Sequence, residues 1–146
     1  GEIDLPPKSV LLTVDDGAKG TGAHNGNILI PMLEKYDMHA TLFLIAGWWK
    51  IDNYISPNLD IQSHTYDMHT RSNCGGGQLF CATYDQAKAD IQTSIDIIGR
   101  TESFCYPFYE VSKNAKNAVK DLGFRVAFGG GNTKATRSSD RYVIPR

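Results

Sequence analysis

Two stretches constrain the fold of this chain most. Val10-Leu11-Leu12-Thr13-Val14 and Ala40-Thr41-Leu42-Phe43-Leu44-Ile45 are unbroken β-prone runs without polar alternation. Strands that show one face to water alternate, whereas strands covered on both faces do not, and such cover is the habit of a mainly parallel sheet. Leu59 to Gln62, Ser103 to Tyr106, Arg125 to Phe128 and Tyr142 to Ile144 are shorter candidates for the same sheet. Helical stripes fall between them: Leu29, Met32, Leu33 and Tyr36; then Ala87, Ile91, Ile95 and Ile98; then Ala115, Ala118, Val119 and Leu122. Thr83 followed by Gln86 predicts a capping box, and Ser112 and Gly123 predict the two ends of the third helix. Pro31 has to fall in the first turn of its helix or kink it. Strands alternating with helices predict an α/β fold, a parallel sheet or partial barrel with any ligand at the carboxyl ends of the strands.

Length decides how much of a barrel there is room for. The 146 residues make one domain, 1–146, short of the roughly 250 of a complete eight-fold β/α barrel. Hydrophobic residues make up 41% and charged residues 21%, which excludes wholesale disorder, and no apolar run approaches the ~20 residues of a membrane helix. Fifteen basic against sixteen acidic residues leave a formal charge of −1, with no footprint for nucleic acid or an anionic membrane. The chain begins with Gly1 and shows no signal-peptide pattern, so it reads as processed or cut from a longer one. Three cysteines suit neither a disulfide framework nor a four-cysteine zinc site. Cys74 and Cys81 bracket Gly75 to Gly77 and are candidates for a local bridge, while Cys105 reads as a buried small hydrophobe.

The predicted strand ends carry the unusual groups. The first strand runs into Asp15-Asp16-Gly17, where adjacent carboxylates point to opposite sides and need different partners; a solvated turn is the plain alternative. The third exits into Ser63-His64-Thr65-Tyr66-Asp67-Met68-His69, which holds two of the four histidines. Their spacing suits neither a helix face nor a strand, so both imidazoles meet at one point only in a turn or an irregular helical start. One carboxylate and two imidazoles are the ligand set of a catalytic zinc or related divalent ion with positions left open. A second carboxylate beside that ion can deprotonate the bound water, which is the chemistry of ester or amide hydrolysis. Phe104-Cys105-Tyr106-Pro107-Phe108-Tyr109 supplies aromatic walls suited to sugar rings or to core packing. Trp48-Trp49 invites the same two readings, with one indole expected to be exposed.

Thr13-Val14-Asp15-Asp16-Gly17, His64-Thr65-Tyr66-Asp67-Met68-His69 and Tyr106-Pro107-Phe108, in that order, resemble the motifs of the polysaccharide deacetylases of carbohydrate esterase family 4, the NodB-homology group. The resemblance runs from about Lys8 to Arg146, and the five-residue histidine spacing looks like the poly-N-acetylglucosamine deacetylase branch. It implies a distorted, incomplete (β/α) barrel with about five to seven mainly parallel strands. It implies Asp15 as general base, Asp16, His64 and His69 as ligands of a divalent metal, usually zinc, and the Phe108 N–H as oxyanion donor. Pro107 falls in the groove-lining motif, and Tyr106, Trp48 and Tyr109 are the candidate sugar contacts. The expected activity is hydrolysis of N-acetyl groups on a GlcNAc-containing polysaccharide at the cell envelope or outside the cell, by a monomer; the alternative is an inactive carbohydrate-binding relative that keeps the metal site. Three departures stand out. Cys105 occupies the place of the motif arginine, for which Arg146 is a candidate substitute; the Asp-rich fourth motif has no clear match; and the histidine of the general-acid motif is missing, leaving His24 as the candidate acid, with a solvated loop histidine as its alternative, and His39 at the head of a strand.

Overall fold

Each strand pairs in parallel with its neighbour in sequence. The structure, a computed structural model, describes residues 9–17, 25–131 and 133–146. Within these, β1 (Thr13–Asp16), β2 (Ala40–Leu44), β3 (Leu59–Ser63), β4 (Ser103–Cys105) and β5 (Val126–Phe128) form one sheet in the order β1-β2-β3-β4-β5. Parallel neighbours joined by right-handed crossovers put every helix on the same side, so the sheet curls as a barrel begins to. The result is an incomplete β/α barrel with its polar site at the strands' carboxyl ends.

Two apolar clusters glue the helices to the outside of the curl. Leu42, Leu44 and Ile61 pack with Leu33 of α1 (Gly26–Lys35) and with Tyr54. Phe104 and Ala127 pack with Ala87 and Ile91 of α3 (Tyr84–Ile98) and with Ala115, Ala118 and Val119 of α4 (Lys113–Asp121). Ile91 is fully buried, and truncating it to Ala should cost about 2–5 kcal/mol. The capping box on α3 forms as expected, Thr83 and Gln86 each accepting from the other's backbone N–H, and Ser112 caps α4. Cys74 and Cys81 are disulfide-bonded across the short helix α2 (Gln78–Cys81), worth roughly 2.5 kcal/mol for so short a loop.

Four expectations need correction. The strands are not apolar on both faces: Asp15 pairs in register with Phe43, and Phe43 with Gln62, so the inside of the curl is polar toward the site. Only the end of the first run is a strand, since β1 begins at Thr13 while Val10 and Leu11 are exposed. Pro31 sits in the second turn of α1, where it cannot donate to the Asn27 carbonyl, and on that helix Met32 and Tyr36 face outward. Tyr142 to Ile144 makes one parallel bridge, Phe128 to Ile144, in place of a sixth strand.

Candidate metal centre and active site

The ligand corner forms where β1 and β3 end. Asp16 closes β1 with φ 76°, which breaks the strand's alternation, and its carboxylate meets two imidazoles. Gly17 follows at φ 87°, and a Cβ there would lie 2.6 Å from the Trp49 ring and 2.9 Å from Leu44, so both backbone and space call for glycine. On the other side the buried His64 ring places Nδ1 2.7 Å from the Cys105 carbonyl oxygen. A carbonyl only accepts, so Nδ1 carries the proton and Nε2 of the neutral ring presents a lone pair. That nitrogen lies 3.3 Å from Asp16 Oδ1, and His69 Nε2 lies 3.1 Å from the same oxygen. Asp16 Oδ1 is buried with no hydrogen-bond partner among the described residues.

Three electron-rich atoms converging on one point repel unless a cation stands among them, and two imidazoles with one carboxylate are the donor set zinc accepts. Asp15, His64 and Cys105 also cluster. They fit an ion less well, because His64 Nδ1 is committed to a carbonyl and burial, aided by Asp15, pushes the Cys105 thiol far above its ordinary value.

The loop carrying the histidines is clamped from α3. Asp90 accepts from Tyr66 N and Asp67 N, each at 2.9 Å, and Asp67 in turn accepts from the Trp48 indole. Nothing in the sequence marks Asp90, one acid among several on an amphipathic helix.

Asp15 stands in a different environment. Arg146 Nη1 donates to Asp15 Oδ1 at 2.9 Å and to Thr13 Oγ1 at 2.9 Å, while Nη2 donates to Asp15 Oδ2. Arg146 thus supplies the guanidinium that the motif position, Cys105, cannot. Cys105 Sγ lies 3.8 Å from Asp15 Oδ2 in the barrel interior. The last segment delivers Arg146 by running beside β5, with Ile144 N donating to Ala127 O at 2.8 Å and Gly129 N to Ile144 O at 3.0 Å. A cleft of about 580 Å³ runs along β1 from Leu12 to Asp16, bordered by Leu29, Tyr109 and Arg146.

The turn after β4 holds Phe108 and Tyr109 at φ 56° and 60°. With Asp16 and Thr65 they are four of the five described non-glycine residues at positive φ, each costing of order 1–3 kcal/mol, and all four lie at this site. The Phe108 ring lies 4.6 Å from the His69 ring, and Trp48 meets His69 edge-on at 5.8 Å. Trp48 and Tyr109 are exposed at the rim while Trp49 packs inward. Tyr106 and Pro107, expected among the sugar contacts, are corrected: both are buried, Tyr106 with its ring against Phe104 in the outer cluster, because β4 directs it away from the cleft. His39 lies at the far end of the sheet beside Asn58 and Asp60, and His24 lies outside the described residues.

A parallel half-barrel with a candidate metal-binding triad and an arginine-held carboxylate at its strand ends is the kind of site a hydrolase carries. The chain belongs to the polysaccharide deacetylase family, whose model matches residues 2–127. It is 26% identical, over 97% of its length, to the poly-beta-1,6-N-acetyl-D-glucosamine N-deacetylase of Staphylococcus epidermidis, and it spans about half of that relative, 55%. Its fold is similar to that of the deacetylase domain of BpsB from Bordetella bronchiseptica, with TM-score 0.74 and 17% identity over 97% of this chain and 71% of that one. A de-N-acetylase from Aggregatibacter actinomycetemcomitans is alike to the same degree, with TM-score 0.74 and 19% identity over 97% and 70%.

Proposed function

We propose that this chain carries the catalytic region of a metal-dependent deacetylase that removes N-acetyl groups from a polymer of N-acetylglucosamine. The observation that carries the reading is the convergence of Asp16, His64 and His69 beside the Arg146-held carboxylate of Asp15. The β-1,6-linked polymer named for the staphylococcal relative is the first substrate to try. A divalent ion, zinc by donor chemistry, would be held by Asp16, His64 and His69 and would supply an acidified water and polarisation of the amide carbonyl.

The chain's own residues do the rest. Asp15 takes the proton from the attacking water, and the two-point grip of Arg146 fixes which carboxylate edge faces it. The Phe108 N–H, turned by its left-handed backbone, donates to the developing oxyanion, a contribution of about 10²–10³ in rate for one such donor. Trp48 and Tyr109 offer apolar faces at the rim for the sugar rings. A polymer too large to enter a cell and the Cys74–Cys81 bridge both favour action at the cell envelope or outside it.

The test is acetate release from β-1,6-linked N-acetylglucosamine oligomers by the zinc-loaded chain. Release that disappears in Asp15→Asn is expected. Oligomer binding without acetate over a long incubation would assign a non-hydrolytic glycan-binding role and overturn the reading.

A further inference from the structure

The strained turn at Phe108–Tyr109 needs an external hold. Its backbone has one: Tyr109 N donates to Tyr106 O at 3.1 Å, Glu110 N to Pro107 O at 3.1 Å, and Gly130 N to Tyr109 O at 2.9 Å. None of these bonds fixes the Phe108 ring that packs, tilted, against His69. The ring is met by the Arg71 guanidinium, 4.0 Å from its centroid. Arg71 Nη1 donates to Glu110 Oε1 at 2.6 Å, and Gly77 N donates to Glu110 Oε2 at 2.6 Å.

Gly77 belongs to the loop closed by Cys74 and Cys81, and a Cβ there would come within 2.6 Å of the Phe108 ring, so only glycine lets the loop press on it. One carboxylate therefore joins the disulfide loop to the cation that covers Phe108, and Phe108 abuts His69. Most of the Arg71 side chain is in water, where the ion pair itself adds little to stability.

We propose that Arg71 and Glu110 form a positioning pair that holds the Phe108 ring against His69, keeping the oxyanion N–H and that ligand in register. The inference rests on the functional reading above and deepens it. It is tested with Arg71→Met, which keeps the stem and removes the cation, with Arg71→Lys, with Glu110→Gln and with the Arg71→Met/Glu110→Gln double variant. Turnover of the oligomers is measured alongside the visible spectrum and affinity of cobalt(II) loaded in place of zinc.

For Arg71→Met, kcat should fall about tenfold with KM within about twofold, since the ring is held for the transition state and not for substrate binding. Arg71→Lys should recover part of the loss, the double variant should be no worse than Arg71→Met, and cobalt affinity should weaken toward the ~10-fold typical of a displaced ligand support. Losses that multiply in the double variant overturn the pairing, as does Arg71→Met with wild-type kcat, cobalt spectrum and affinity. Should the parent chain release no acetate, the functional reading fails and cobalt alone judges the pair: altered spectra or affinity in Arg71→Met uphold it, and unaltered ones overturn it.

Discussion

Asp15 and Asp16 are the same residue type one position apart, yet the corners they begin are built differently. Asp16 meets two imidazoles supplied by a single loop, with its second histidine only five positions beyond the first. Asp15 meets a guanidinium 131 positions away, carried in by a segment that bridges β5 at one point. Neighbouring identity therefore says little about role. Partners distinguish the two, because converging lone pairs suit a cation whereas a two-point hydrogen-bonded clamp fixes the orientation of a carboxylate.

The strongest way to break this contrast is to neutralise each carboxylate in turn. Asp16→Asn should abolish stoichiometric metal binding and turnover together, while Asp15→Asn should retain one metal per chain and lose turnover by ~10²–10⁴, the range for removing a general base. Elemental analysis beside the acetate assay separates them. Metal lost equally from both variants would show that the two corners are one site.

A smaller effect is expected from the partners. Arg146→Met leaves Asp15 charged but free to rotate, and turnover should drop by about 10²-fold, the scale of misplacing a reacting group, with metal content unchanged. On the other side, Asp90→Ala frees Tyr66 N and Asp67 N and should weaken metal affinity by about 10-fold while kcat of the fully loaded protein changes little. Competition with a chelator measures the first quantity and saturating zinc the second. A kcat defect in Asp90→Ala that excess metal fails to restore would blur the division between the corners.

The same contrast explains what could be read in the sequence. The convergence of Asp16, His64 and His69 was legible because strand-end position and donor type sit together in short motifs, Asp15-Asp16-Gly17 and His64 to His69. The parallel sheet was legible from its apolar runs, although strands inside a barrel keep a polar inner face that a run such as Ala40 to Ile45 conceals. Tyr106 was misread for a physical reason: β4 sends alternate side chains to opposite faces, and Cys105 takes the inward one. Asp90, Arg71 and Glu110 left no local trace, because their roles depend on contacts made across the fold at separations of 23 to 39 residues.

The smallest expected effect tests how Arg146 is delivered. Asp140 opens the last segment; it pairs with Lys116 of α4 and accepts from Tyr142 N at 2.9 Å. These contacts, Lys116 foremost, hold its carboxyl below the ordinary value. A carboxyl lowered on folding adds stability at pH above the unfolded value of about 3.9 and loses it as pH falls through the lower folded value. Wild type should therefore exceed Asp140→Asn in stability by a constant margin above about pH 5, within the ~0.2–1 kcal/mol of an exposed ion pair, and the margin should shrink as the pH falls through the lowered folded value. Melting curves across that window give the margin, and amide exchange at Ile144, whose N–H bonds Ala127 O, shows whether it resides in the segment that carries Arg146. Exchange at Ile144 that ignores both the substitution and the acid would mean that the pairing with β5 alone holds the Asp15 corner together, leaving Asp140 outside it.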